Sequence, residues 1–72
     1  MPNITVELLR GRSADQRRRF VERVTEAAVE ALGARRESVR ILLVEIEPED
    51  VANGGVFVAD DPSRQYRPPV AP

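Results

Sequence analysis

Apolar and polar positions alternate at the start of the chain. Ile4, Val6 and Leu8 fall on one face and Asn3, Thr5 and Glu7 on the other, which predicts a strand over residues 3–9, with Leu9 breaking the alternation at its end. After a short Arg10-Gly11-Arg12 connection, the period changes. Ser13-Ala14-Asp15-Gln16 reads as a capping box, with Ser13 as N-cap and the Gln16 side chain reaching back to it. Phe20, Val21, Val24, Ala27, Ala28, Ala31 and Leu32 then recur at three- and four-residue spacing, which predicts a helix from about Ala14 to Leu32. Arg18, Glu22, Arg23, Glu26 and Glu30 occupy the opposite face, and Gly33 sits where a left-handed C-terminal cap is expected.

A second strand is expected over Val39–Ile46, apolar on both faces like a strand in the middle of a sheet. Strand, helix and strand with short links imply a parallel crossover. Two strands and one helix cannot cover a second strand that is apolar on both sides, so another subunit is expected to extend the sheet or pack on it. Pro48 ends that strand. Residues 49–55 read as a turn with a short helical twist before Gly54-Gly55, and Val56-Phe57-Val58 as a brief strand after it. The expected class is α+β: a β-α-β unit with a short C-terminal β-hairpin over residues 1–59, assembled into an oligomer. From Asp60 the composition changes, with four prolines at 62, 68, 69 and 72. Residues 60–72 are expected to be an extended or disordered tail.

Composition narrows the chemistry. A chain of 72 residues holds one small domain whose single core supplies no more than about 3–5 kcal/mol, so added support is needed. With no cysteine and no histidine, neither disulfides nor a Cys/His metal site can provide it, which again favours assembly. The same absences exclude a histidine dyad or triad and a thiolate nucleophile. All eleven cationic side chains are arginine, so there is no lysine for a Schiff base. No cofactor is implied. The net charge of −1 gives no support to nucleic-acid binding, and Arg17-Arg18-Arg19 reads as a solvated face paired with Glu22, Glu26 and Glu30. No apolar run reaches the about 18 residues of a membrane span and no signal peptide is visible, so a cytoplasmic location is expected.

The titratable groups that remain are carboxylates, Tyr66 and the amino terminus. Near neutral pH the amine is the natural base, and carboxylates compete only with pKa values raised by burial. Met1 precedes Pro2, and methionine is normally removed before a small residue. The chain would then begin with a secondary amine at the start of a strand, in a class that titrates near about 7.7–8.0 when unperturbed and lower when buried. That is the range a general base needs. Pro2 also suits an edge strand for the plain reason that its missing N–H costs nothing there. Arg12, beside a helix start, is equally compatible with an exposed loop. Arg40 interrupts an otherwise apolar strand, and a buried arginine needs a ligand or a carboxylate such as Glu45 or Glu7.

Taken together, Pro2 opening the first strand, Leu8-Leu9-Arg10-Gly11-Arg12-Ser13-Ala14-Asp15-Gln16, Ser38-Val39-Arg40-Ile41-Leu42-Leu43-Val44-Glu45 and the Gly54-Gly55 turn resemble the 4-oxalocrotonate tautomerase family over residues 2–58. The resemblance implies an isomerase of small unsaturated oxo-acids or dicarboxylates, of the kind met in the degradation of aromatic compounds. It implies Pro2 as the general acid/base, Arg12 as the group that binds a substrate carboxylate, and Arg40 as the group that polarises the carbonyl and its carboxylate. Leu9, Val51 and Asn53 are implied as pocket positions. It also implies a hexamer built as a trimer of dimers, with sites assembled across subunit boundaries.

Three positions depart from the family pattern. Val51 stands where an aromatic wall is common, and a smaller wall excludes less water, leaving the Pro2 amine more basic and the pocket wider. Asn53 and Leu9 stand where dehalogenating and hydrating relatives carry a glutamate and an arginine. A hydratase, dehalogenase or decarboxylase with a cationic proline is the alternative reaction. A non-catalytic subunit of a hetero-oligomer is the alternative role.

Overall fold

In a computed structural model of the chain, residues 1–66 are described. They form strand β1 (Asn3–Leu9), helix α1 (Ala14–Leu32), strand β2 (Arg40–Ile46), and a two-residue hairpin of β3 (Ala52–Asn53) and β4 (Val56–Phe57), with short 3-10 turns between and after them. β1 and β2 pair in parallel with Asn3 opposite Arg40 and Leu9 opposite Ile46. No hairpin can join parallel strands, so α1 makes the crossover. At about 1.5 Å per residue it spans roughly 28 Å, enough to return along strands of about 23 Å. The β-α-β unit and C-terminal hairpin expected from sequence are therefore present.

Local signals fix the helix ends. The Ser13 hydroxyl accepts from the Gln16 N–H at 3.1 Å, and the Gln16 side chain accepts from the Ser13 N–H at 2.9 Å. At the other end the Gly33 N–H donates to the Val29 carbonyl at 3.1 Å. The hairpin turns on Gly54 and Gly55, both at positive φ (60° and 83°), where a Cβ would be strained.

The arginine run does not pair as the sequence pattern suggested. Arg18 binds backwards to Asp15 at 2.9 Å, Arg17 crosses to Glu45 on β2 at 3.6 Å, and Glu26 pairs with Arg36 beyond the helix. An acid on the N-terminal side of its base agrees with the helix dipole, whereas Arg18 before Glu22 opposes it.

Ile4, Val6, Leu8, Ile41 and Leu43 share the face under α1, by strand alternation and register. The covering is incomplete. Only Ala28 and Val58 are buried among the described residues, while Phe20, Leu32, Leu42, Val56 and Phe57 stay exposed. Of the apolar stripe on α1, Val21, Val24 and Ala28 turn inward, and Phe20, Ala27, Ala31 and Leu32 lie open. Each large apolar side chain left in water forgoes roughly 1.5–3 kcal/mol. No helix among the described residues is long and apolar enough to cross a membrane.

Of the expected tail, residues 60–66 are described and 67–72 lie outside the described residues. The boundary expected at residue 60 falls inside a 3-10 turn, Val58–Asp60, and a second turn follows at Pro62–Arg64. Proline starts this second turn, where its fixed φ suits the first helical position. Asp61 caps it, accepting from the Ser63 hydroxyl at 2.7 Å and the Ser63 N–H at 3.1 Å, with Arg64 at 3.3 Å. The Ser63 hydroxyl, foremost among these contacts, holds the Asp61 carboxyl below its ordinary 3.8. A depressed carboxyl stabilises the turn fully above 3.8, and that contribution is lost as pH falls through the lower folded value. An NMR titration of Asp61 should give a midpoint below 3.8, and Ser63→Ala should move it back up.

Candidate active site

Pro2 lies just ahead of β1, and its carbonyl accepts from the Arg40 N–H at 3.0 Å. This bond ties Pro2 to the first residue of β2, so both stand at the N-terminal end of the sheet. An open cleft of about 460 Å³ adjoins Pro2, lined by Met1, Leu32, Ala34, Arg35 and Ser38 as well. With Met1 attached, the Pro2 nitrogen is a tertiary amide with no proton to give and no basic lone pair. Met1 is 88% exposed. Removal leaves a secondary amine at the cleft mouth.

Arg40 does not sit inside an apolar strand, nor does it meet either expected carboxylate. It opens β2 and is exposed. Glu45 stands five residues further along the same strand, about 17 Å away at the usual rise, and pairs with Arg17. Glu7 sits opposite Val44, four register steps from Arg40. Among the described residues no carboxylate lies within ion-pair distance of Arg40. Among the described residues its guanidinium has no ionic partner at the Pro2 end.

The other candidates gather at the C-terminal end of the sheet. Leu9 and Val51 line one shallow cleft of about 170 Å³ with Glu7, Leu8, Ile46 and Val58. The Val58 N–H donates to the Val51 carbonyl at 2.9 Å, which holds the hairpin over this end. Arg12 follows Gly11, whose φ of 128° turns the chain into the helix. Its Nη1 donates to the Leu9 carbonyl at 2.9 Å, and its guanidinium carbon lies 3.8 Å from the centre of the Tyr66 ring. Arg12 also lines a pocket of about 220 Å³ with Val6, Leu8, Gln16, Arg17 and Phe20. Asn53 is an exposed hairpin residue outside these clefts. Arg10 pairs with Glu47 at 3.0 Å on the surface.

Within one chain the candidates thus form two groups. Pro2 and Arg40 stand at one end, and Arg12, Leu9 and Val51 at the other, separated by the length of β1, about 23 Å. No small acid spans that distance. Sequence reasoning did not find Tyr66 and Gln16 beside Arg12, nor Arg35 and Ser38 beside Pro2. Only the fold brings these residues together, and no local pattern marks them.

Comparison with known proteins finds relatives of this sequence and fold. The family profile described as "Tautomerase enzyme" matches residues 2–61. The 2-hydroxymuconate tautomerase of Bacillus subtilis is 38% identical over 60 residues, covering 83% of this chain and 97% of the relative. A solved 4-oxalocrotonate tautomerase isozyme from Methylibium petroleiphilum is 40% identical with a TM-score of 0.79, over 81% of this chain and 91% of that one. A heterohexamer 4-oxalocrotonate tautomerase from Chloroflexus aurantiacus is 26% identical with a TM-score of 0.79, over 85% of this chain and 98% of that one.

Proposed function

The chain belongs to the tautomerase family and is an isomerase of the 4-oxalocrotonate tautomerase kind, and from that premise we propose that it ketonises a 2-hydroxydienoate dicarboxylate, using the Pro2 amine as its acid and base. The neutral amine takes the enol hydroxyl proton and returns a proton to a carbon of the diene. The C–O bond becomes a carbonyl, the double bond shifts, and the hydrogen count is unchanged. Arg40, tied to Pro2 through the backbone, stabilises the charge that develops on the enolate oxygen, and Arg12 holds the distal carboxylate. Arginine suits both tasks because it stays protonated and presents planar paired donors.

The observation that carries this reading is the separation of Pro2 and Arg40 from Arg12 on a sheet whose two edges are unpaired among the described residues. A complete site needs the Pro2 end of one chain against the Arg12 end of another, with further subunits covering Leu42, Val56 and Phe57. An isologous contact between antiparallel sheets brings unlike ends together twice. A hexamer built from such dimers accommodates the reading. So does a hetero-oligomer, the assembly named for the Chloroflexus relative.

The test is direct. The trimmed chain, mixed with 2-hydroxymuconate, should remove the dienol absorbance far faster than buffer does, and light scattering should give a closed oligomer. A monomer, or a rate equal to buffer, overturns the proposal.

A further inference from the structure

The Arg12 guanidinium is already partly engaged. One face is covered by the Tyr66 ring at 3.8 Å, and Nη1 is committed to the Leu9 carbonyl at 2.9 Å. Tyr66 is itself held. Gln16 Nε2 donates to its hydroxyl at 2.9 Å, and that hydroxyl lies 3.3 Å from Gln16 Oε1, the atom that also accepts from the Ser13 N–H. The chain returns to this point because Gln65 Nε2 donates to the Val58 and Ala59 carbonyls at 3.1 and 3.0 Å, closing the segment after the hairpin. Room for the ring comes from Gly11. A Cβ there would lie 3.3 Å from Tyr66 Cδ2, in tight contact with it.

We propose that Tyr66 is a positioning residue for Arg12, fixing the guanidinium so that its Nε–Nη2 edge is the fork offered to a dicarboxylate's distal carboxylate. This rests on the reading of Arg12 given above and extends it to a residue outside the β-α-β core. A guanidinium has five N–H donors, and a carboxylate pairs best with two parallel ones. With Nη1 turned to Leu9 and one face stacked, the plane of the group is set before substrate arrives. Less rotational freedom is then lost on binding. The ring also stabilises the cation by its quadrupole, which an aliphatic side chain of similar bulk does not do.

The experiment compares the trimmed full-length chain with Tyr66→Phe, Tyr66→Leu, Arg12→Ala and Arg12→Ala/Tyr66→Leu. Each is assayed on 2-hydroxymuconate and on a 2-hydroxydienoate lacking the distal carboxylate. Tyr66→Leu should raise KM for the dicarboxylate about fivefold with kcat little changed, a loss of about 1 kcal/mol at 1.4 kcal/mol per tenfold. Tyr66→Phe keeps the stack and should stay within about twofold of the parent. The monocarboxylate should be handled alike by all three, and the double variant should be no worse than Arg12→Ala alone. A Tyr66→Leu loss that is equal on both substrates reports packing rather than positioning and overturns the inference. So does a loss with Arg12→Ala and none with Tyr66→Leu, while the reading of Arg12 stands. No effect of Arg12→Ala overturns both.

Discussion

A chain that keeps Met1 in front of Pro2 is expected to turn over about 10²–10⁴-fold more slowly than one that begins at Pro2, the range general acid–base catalysis contributes. The reason lies in the nitrogen alone. In the Met1–Pro2 amide the lone pair is delocalised into the carbonyl and no N–H remains, so it can neither accept the enol proton nor return one. The sequence has no histidine, cysteine or lysine to replace it, and a carboxylate could do so only with a pKa raised by burial. The measurement uses two preparations sorted by intact mass, one trimmed and one carrying a residue ahead of Met1 that blocks trimming, each assayed on 2-hydroxymuconate. Pro2→Ala is the informative companion. It retains an α-amine at the same place, so its loss should be smaller than that of the blocked chain. Equal rates for blocked and trimmed protein would remove the amine from the mechanism.

Local physics made much of this molecule readable. The helix limits follow from Ser13, Gln16 and Gly33, which satisfy end groups within four residues of themselves. The first strand follows from its period of two, and the hairpin from a glycine pair flanked by apolar residues. Where the reading differed, distant partners or competing local bonds decided. A strand apolar on both sides implies that Arg40 needs a ligand or a carboxylate. In one chain it is the exposed first residue of that strand, and Glu45, one of the two carboxylates considered, pairs with Arg17. Residues 60–66 have the composition of a tail, yet the Asp61 cap and a proline at the start of a turn give them structure. Tyr66 meets Gln16 across 50 residues, a separation at which sequence spacing carries no information. The family resemblance implies roles for Pro2 and Arg12, but nothing in the spacing says that they occupy opposite ends of one sheet.

That opposition gives the second large effect. Arg12→Ala should lower kcat/KM on 2-hydroxymuconate about 10²-fold, since a charge-assisted contact contributes about 1.5–3 kcal/mol. A chain with a blocked Pro2 should be similarly poor. Mixed as unfolded chains in equal amounts and refolded together, the two should recover activity that neither has alone. A site that takes Pro2 from one subunit and Arg12 from another finds both intact in about one quarter of cases, so roughly a quarter of the parent rate should return. A site confined to one chain would give no recovery, because each subunit would still lack one group. The geometry already argues against that arrangement: with both strands running the same way, Pro2 and Arg12 are held apart by the whole of β1. Rotating a side chain cannot close a gap of about 23 Å, so in the proposed site the amine of one subunit meets the arginine of another.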